Sequence, residues 1–344
     1  MRVERWRRLP TDERAAVDQL LDEVEAADGY PPLSDQMRLD LAATSSPPAG
    51  DAAEQHPGGV IAVLARSGAT TSPSRARGEL VGCAFLRPDA GDDTVAGLGT
   101  ARPAWTVEVA VPPSWRSDGT VLRGLVDAAR SKLARRGGGT VRLWLRAPDP
   151  ASEAAIGEGF HPLRDVFQLR APLPLRVGDR SGDRGGPEID VRPFRPGTDE
   201  AAWLAVNNRA FAGHPEQGSW KLEDVLRRER EPWFDPEGFL LHEVGGRLAG
   251  YCWTKVHRRP SLGEIYVIGV DPDFQHKGLG RALTIAGLRH LAGRAIPTGM
   301  LYVEATNEPA LALYHSLGFD LHHLDRCYVT DVDEGAQTAA AAPD

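Results

Sequence analysis

The segment Val270-Asp-Pro-Asp-Phe-Gln-His-Lys-Gly-Leu-Gly-Arg281 carries the most chemistry in this chain. An apolar run ends, two glycines spaced by one residue follow, and an apolar helical pattern begins at once. Gly278 and Gly280 permit backbone conformations and a close ligand approach that a side chain would block. A row of main-chain N–H groups at a helix N-terminus suits a phosphate, through unsatisfied donors and the helix dipole together. Lys277 and Arg281 add positive charge at the same place. The run contains neither Gly-x-x-x-x-Gly-Lys-Ser/Thr nor Gly-x-Gly-x-x-Gly, so it matches neither the nucleotide nor the dinucleotide loop. A bare Gly-x-Gly also fits an ordinary turn. The preceding strand, the Gln-x-x-Gly-x-Gly-Arg spacing and the downstream Asn307 and Tyr314 favour the anion site.

These residues need a scaffold, and the chain repeats one. Pro113 aligns with Pro272, Gly119 with Gly278 and Gly159-Phe160 with Gly318-Phe319, all at an offset of 159 positions. The expected organisation is a first domain over 1–172, a linker over 173–187, a second domain over 188–332 and a frayed tail over 333–344. Two further low-complexity segments, Thr44 to Gly59 and Ser67 to Gly78, read as insertions in the first half. In the second half the pattern predicts a helix from Thr198, as N-cap, to Phe211. Strands follow at Gly238 to Val244 and Leu248 to Val256, joined through Gly245-Gly246. Then come a strand Glu264 to Val270, a helix Gly280 to Leu291, a strand Met300 to Ala305, a helix Pro309 to Leu317 closed by Gly318, and a strand Leu324 to Val329. The fold class is α/β, with a mixed sheet and helices on both faces in each half.

Gln275 to Arg281 resembles the acyl-CoA pyrophosphate loop of the GCN5-related N-acetyltransferases, and Asn307 to Phe319, with Tyr314 and Leu-Gly-Phe, resembles that superfamily's last helix. The resemblance covers both halves, closely only in the second, and implies two tandem domains of that fold. Gly213-His-Pro-Glu-Gln-Gly218, Trp253-Thr-Lys255, Gly263 to Val270 and Leu301-Tyr-Val-Glu304 resemble the branch that acetylates the cysteinyl amine of cysteinyl-glucosaminyl-inositol. It implies acetyl-CoA as donor, with Ile268, Gly269, Val270, Gln275, His276, Lys277, Gly278, Leu279, Gly280, Arg281, Asn307, Glu308, Pro309, Ala310, Leu311 and Ala312 around it. It also implies Asp35, Glu216, Lys255, Glu264 and Tyr302 as acceptor-binding residues, with Asp35 reaching the substrate from the first half. Taken alone, Glu216 also fits a solvated loop, Lys255 a surface strand and Tyr302 a sheet-packing aromatic.

Amide formation from a thioester needs a neutral amine, a polarised carbonyl and a stabilised leaving thiolate. Glu264 is the candidate base, directly or through a water, although an exposed or ion-paired strand-end glutamate fits the spacing too. An α-amine with a reference pKa of about 8 gives up its proton more readily than a lysine at about 10.4. Tyr314 is the candidate acid; a core tyrosine with a bonded hydroxyl is the competing reading. The Val270 N–H is the candidate carbonyl polariser, provided Gly269 marks a bulge.

Composition bounds the alternatives. The chain has 344 residues, 41% hydrophobic, enough for a sizeable core, and a net charge of −8, which with no basic stripe argues against nucleic acid. The scattered histidines and three distant cysteines lack ligand spacing, so no metal and no disulfide framework are expected. Cys252 reads as a small buried hydrophobe, and Arg227 to Arg230 as a solvated helix face. The start has no apolar h-region and no later stretch reaches membrane-spanning length, so a cytoplasmic protein with no membrane partner is expected. A monomer is also expected, although nothing in the sequence fixes the oligomeric state. At the 159 offset Glu264 falls on Trp105, Tyr314 on Ala155 and Gly280 on Val121, so the first half is expected to be non-catalytic. Acetylation of another small amine or a protein N-terminus, or a CoA-binding sensor without turnover, are the competing functions.

Overall fold

The computed structural model describes residues 1–6, 9–43, 60–68, 78–89, 102–117, 119–175, 189–213, 218–257 and 261–335. The chain forms two compact units, Met1–Asp165 with Leu324–Asp344, and Val166–His323. The boundaries between these units fall at 165/166 and 323/324, and most of the expected linker, 173–187, lies outside the described residues. Each half gives most of its last strand to the other unit. The insertion segments and the tail beyond residue 335 lie almost wholly outside the described residues.

The first unit contains β1 (Arg2–Trp6), α1 (Thr11–Asp28), α2 (Asp35–Ala43), β2 (Ile61–Arg66), β3 (Leu80–Pro88), β4 (Ala104–Ala110), α3 (Thr120–Ala134), β5 (Gly139–Arg146) and α4 (Pro150–Ile156). Next in the chain are β6 (His161–Pro172), β7 (Arg192–Pro193), α5 (Glu200–Ala210), α6 (Leu222–Glu229), β8 (Phe239–Val244), β9 (Arg247–Val256), β10 (Leu262–Val270), α7 (Leu279–Gly293), β11 (Thr298–Glu304), α8 (Glu308–Ser316) and β12 (Asp320–Val332). The first unit's sheet runs β1-β2-β3-β4-β5-β12, and the second unit's runs β6-β11-β10-β9-β8-β7. In both, one parallel pair (β4 with β5, β10 with β11) sits among antiparallel neighbours.

The repeat holds element by element. α3 and α7 each have 15 residues, starting 159 positions apart, and the 3-10 turns Pro113–Trp115 and Pro272–Phe274 keep the same offset. Gly119 and Gly278 both cap the following helix with left-handed backbone, φ 67° and 78°. That conformation costs a side-chain-bearing residue about 1–2 kcal/mol, which explains the glycine at both positions.

In the second unit both sheet faces are covered. On one face α7 lays Leu283, Leu288 and Leu291 against Cys252 and Ile265, and α8 adds Tyr314. Gly287 makes this approach possible, since a Cβ there would meet Cys252 Sγ at 2.5 Å. On the other face α5 and α6 cover an aromatic core in which Trp253 stacks on Phe239 at 4.3 Å and meets Trp203 edge-on at 5.7 Å. Truncating one such buried tryptophan to alanine costs about 3–5 kcal/mol, so this cluster fixes β9 firmly.

Local chemistry sets the ends. Gly245 and Gly246, with φ 60° and 76°, form the expected hairpin turn between β8 and β9. Asn307 caps α8, its side-chain oxygen accepting from Ala310 N–H at 3.2 Å, and Gly318 closes that helix at φ 88°. α5 starts at Glu200, and Asp199 takes the cap position expected for Thr198. The Asp199 carboxylate is held by Arg192 at 2.7 and 3.0 Å and by Arg195 N–H at 2.8 Å. α6 carries a correction: Arg228 is buried against the Trp220 ring at 4.0 Å, so Arg227 to Arg230 is not simply a solvated face.

Candidate active site

The turn before α7 presents a row of main-chain amides to one side. His276 and Gly278 both have positive φ, 62° and 78°, which turns successive amides toward one side. The main-chain N–H groups of residues 276–280 make no hydrogen bond among the described residues, and the turn is exposed. Arg281 anchors this end of α7 to α8 by donating to Ser316 Oγ at 2.7 Å. Gln275 donates its amide to the Val270 carbonyl at 3.3 Å and so ties the turn to the strand.

β10 opens beside this turn. Its parallel pairing with β11 comprises only Leu262↔Thr298, Gly263↔Gly299 and Glu264↔Met300, whereas its pairing with β9 continues to Val270↔Gly250. Beyond Glu264 one edge of β10 therefore faces a gap. Asp271 N–H bonds the Ala249 carbonyl on β9 at 2.9 Å, and antiparallel ladders alternate, so the Val270 and Ile268 amides turn to the gap side. The bulge expected at Gly269 is not there, because Gly269 pairs in register with Tyr251. The register shifts between Ile265 and Val267 instead, leaving Tyr266 as the extra residue. Splaying, not a bulge, frees the Val270 N–H.

The bulge decides which way Glu264 faces. Simple alternation would put Glu264 on the face of Ile268 and Val270. The extra residue reverses the parity: Tyr266 and Val267 both pack in the aromatic core, and Glu264 sits opposite Lys255 on that same side. Glu264 is buried, and its Oε2 lies 2.6 Å from His257 Nε2, also buried. Lys255 is not a surface lysine. It is buried, with Nζ 4.8 Å from the Trp233 ring centroid and 5.3 Å from that of Tyr266. Arg228 completes the wall by donating to the Tyr266 hydroxyl at 2.8 Å. Sequence reasoning set His257 aside among scattered histidines. The signal was its place two residues beyond Lys255, hence on the same face of the hairpin and diagonal to Glu264.

Tyr314 arrives from the opposite face, packed with Cys252 and Ile265. It is buried, and its hydroxyl makes no hydrogen bond among the described residues, unlike an ordinary core tyrosine. Burial, with the neighbouring Cys252 thiol, pushes its phenol up to about 12. Cys252 is buried as expected, and desolvation raises its thiol to about 12. Tyr302, on β11, accepts from the Gln168 amide at 2.7 Å. Glu308, Pro309, Ala310, Leu311 and Ala312 form the first turns of α8 beside the Asn307 cap. Asp35 lies in the first unit, at the head of α2, and Glu216 lies outside the described residues. The described residues contain no group of three His, Cys, Asp or Glu able to hold a metal, and no helix among them is long and apolar enough to cross a membrane.

The first unit repeats the scaffold and closes it. Trp105 has the β5 register that Glu264 has on β11, and it is buried in the core. The β4/β5 pairing continues to Glu108↔Trp144, three pairs further than in the second unit, and β3 pairs with β4 without a shift. Arg116, at the position of Gln275, makes the equivalent bond to the Val111 carbonyl at 2.7 Å but is pinned to Asp28 at 2.8 and 2.7 Å. Gly119 N–H is spent on the Arg116 carbonyl at 3.1 Å.

A strand–turn–helix scaffold repeated once along the chain, with an exposed donor turn, a splayed parallel pair and a tyrosine-bearing helix in the second unit, defines a tandem GCN5-related acetyltransferase. Residues 203–319 match the Acetyltransferase (GNAT) family. A solved tandem GNAT protein from the clavulanic acid biosynthesis pathway has the same fold, with a TM-score of 0.61 at 17% identity over 97% of this chain and 100% of that one. The mycothiol acetyltransferase of Streptomyces coelicolor is 42% identical over 331 residues, 96% of this chain and 95% of that one. That of Acidimicrobium ferrooxidans is 49% identical over 246 residues, 68% of this chain and 78% of that one. The chain belongs to the mycothiol acetyltransferase family and is an acyltransferase.

Proposed function

We propose that the second unit transfers the acetyl group of acetyl-CoA to the cysteinyl amine of cysteinyl-glucosaminyl-inositol, giving mycothiol, and that the first unit is non-catalytic. The observation that carries this reading is the continuity between the unbonded amides of residues 276–280 and the open edge of β10. A diphosphate suits the former. An extended chain ending in a thioester suits the latter, with free amides along one wall and Glu264 where the parallel pairing ends.

Glu264 takes one proton from the ammonium, and the neutral nitrogen then bonds to the acyl carbon. As the carbon–sulfur bond breaks Tyr314 gives its proton to the departing thiolate, the phenolate takes the second proton from nitrogen, and Glu264 releases its proton to water. A phenol raised to about 12 stays protonated at working pH, as an acid must. The Ile268 and Val270 N–H groups lie on the same open edge, with Ile268 nearer Glu264, and are the candidate carbonyl polarisers, Glu264 reaching the amine through water. Lys255 and Tyr302, with Glu216 by resemblance, complete the second unit's acceptor set. Transfer is direct, since the buried Cys252 lacks an adjacent base.

Similarity to relatives named mycothiol acetyltransferase supports this acceptor over others. Mass spectrometry of products from a panel of amines with acetyl-CoA tests it. Cysteinyl-glucosaminyl-inositol should be acetylated far faster than simple amines or peptide N-termini. Equal rates would remove the acceptor assignment, and no thiol release with any amine would favour a CoA-binding sensor.

A further inference from the structure

The buried histidine beside the base has no role in the scheme above. We infer that His257 is a positioning residue for Glu264, an inference that rests on reading Glu264 as the base. His257 follows β9 and is tied to the hairpin by its own N–H, which bonds the Leu262 carbonyl at 2.8 Å. Its Nε2 is 2.6 Å from Glu264 Oε2. An ionised carboxylate only accepts hydrogen bonds, so Nε2 carries the hydrogen and donates it. A carboxylate with one oxygen held in this way has one oxygen left for the amine proton, and its plane is fixed.

The geometry gives this bond work that packing alone would not. Glu264 is buried on the aromatic face, and a buried carboxylate without a donor is held poorly in its charged form. Among the described residues, the titratable groups around it are Lys255 and His257 from the β9 side, Tyr266 on β10 and Arg228 from α6, the last engaged with the Tyr266 hydroxyl. α5 brings Trp203 and Asn207 to this face, neither of which titrates between pH 4 and 10 as a side chain, and β11 places Met300 opposite. Lys255 is stacked on Trp233 and Tyr266, so His257 is the donor whose contact with Glu264 is defined at hydrogen-bond distance.

The test compares His257→Leu, which fills space without a donor, and His257→Gln, which offers an amide N–H in place of Nε2. Both are made in the native chain and in Glu264→Gln. For His257→Leu the expected result is a loss of about tenfold or more in kcat, an unchanged KM for acetyl-CoA, and an acidic midpoint of the kcat/KM profile moved to higher pH. His257→Gln should restore most of the rate and return the midpoint. In the Glu264→Gln background neither change should lower the residual rate further, because the group His257 positions is gone. Equal losses in both backgrounds, or an acidic midpoint that stays put in His257→Leu, would overturn the inference while leaving the base reading intact. Loss of less than tenfold in Glu264→Gln itself would overturn the base reading and this inference with it. If His257→Leu fails to fold, His257→Gln decides: a midpoint displaced by a full pH unit would count against the donor role.

Discussion

Glu264 and Tyr314 stand on opposite faces of the sheet in the second unit: Glu264 faces the aromatic core under α5 and α6, and Tyr314 packs with Ile265 and Cys252 under α7 and α8. As the proposed base and acid, residues so separated can serve one reacting centre only through an opening in the sheet. The early end of the β10/β11 pairing, at Glu264↔Met300, supplies one. The same point in the first unit is closed by three more pairs and carries Trp105.

Replacing Glu264 by glutamine keeps shape and removes basicity. The expected loss in kcat/KM is about 10² or more, with KM for acetyl-CoA little changed. Steady-state kinetics check this, and a melting curve close to native excludes unfolding as the cause.

Tyr314→Phe removes a hydroxyl that has no hydrogen bond among the described residues, so stability should change little while kcat falls. The pH profile adds a sharper check. A phenol raised to about 12 remains protonated through pH 10, so an alkaline limb between pH 8 and 10 belongs to another group and should persist in the variant. Its disappearance would show that Tyr314 titrates there.

Gly280→Val gives the second unit the residue found in the first, Val121. A Cβ at Gly280 meets nothing within 4 Å, so the melting temperature should hold, while a branched side chain among the free amides should raise KM for acetyl-CoA tenfold or more. Gly278→Ala should behave differently, costing about 1–2 kcal/mol of stability through its left-handed backbone. Differential scanning fluorimetry with and without acetyl-CoA separates the two.

Calorimetric titration of the native chain with acetyl-CoA should give one site per chain, weakened tenfold or more in Gly280→Val. In the first unit Gly119 N–H is already bonded and Arg116 is pinned to Asp28. A stoichiometry of two would show that the first unit binds the donor.

Asp199 offers a stability test away from the site. Its hydrogen bonds from Arg192, then from Arg195 N–H, hold its pKa below the ordinary 3.8. A depressed carboxylate contributes stability that is present above the unfolded value and lost as pH falls through the folded one. Asp199→Asn should therefore lower the melting temperature clearly at pH 7 and progressively less below about pH 4.

Much of this was legible in the amino-acid order because local chemistry enforces it. Gly119 and Gly278 mark the same cap twice, since left-handed backbone excludes side chains. The Gly245-Gly246 hairpin and the Gly318 stop rest on neighbours in sequence, and the repeat is legible because both copies keep those local signals at one offset. Other features needed the fold. The extra residue at Tyr266 exists only relative to β9, and it turns Glu264 toward Lys255 and His257. The burial of Lys255 depends on Trp233, far along the chain, and the opening beside β10 depends on where β11 stops pairing. Backbone conformation and helix ends are decided within a few residues, whereas a side chain's face, its burial and its partner across a sheet are decided by register between strands, which no single segment contains.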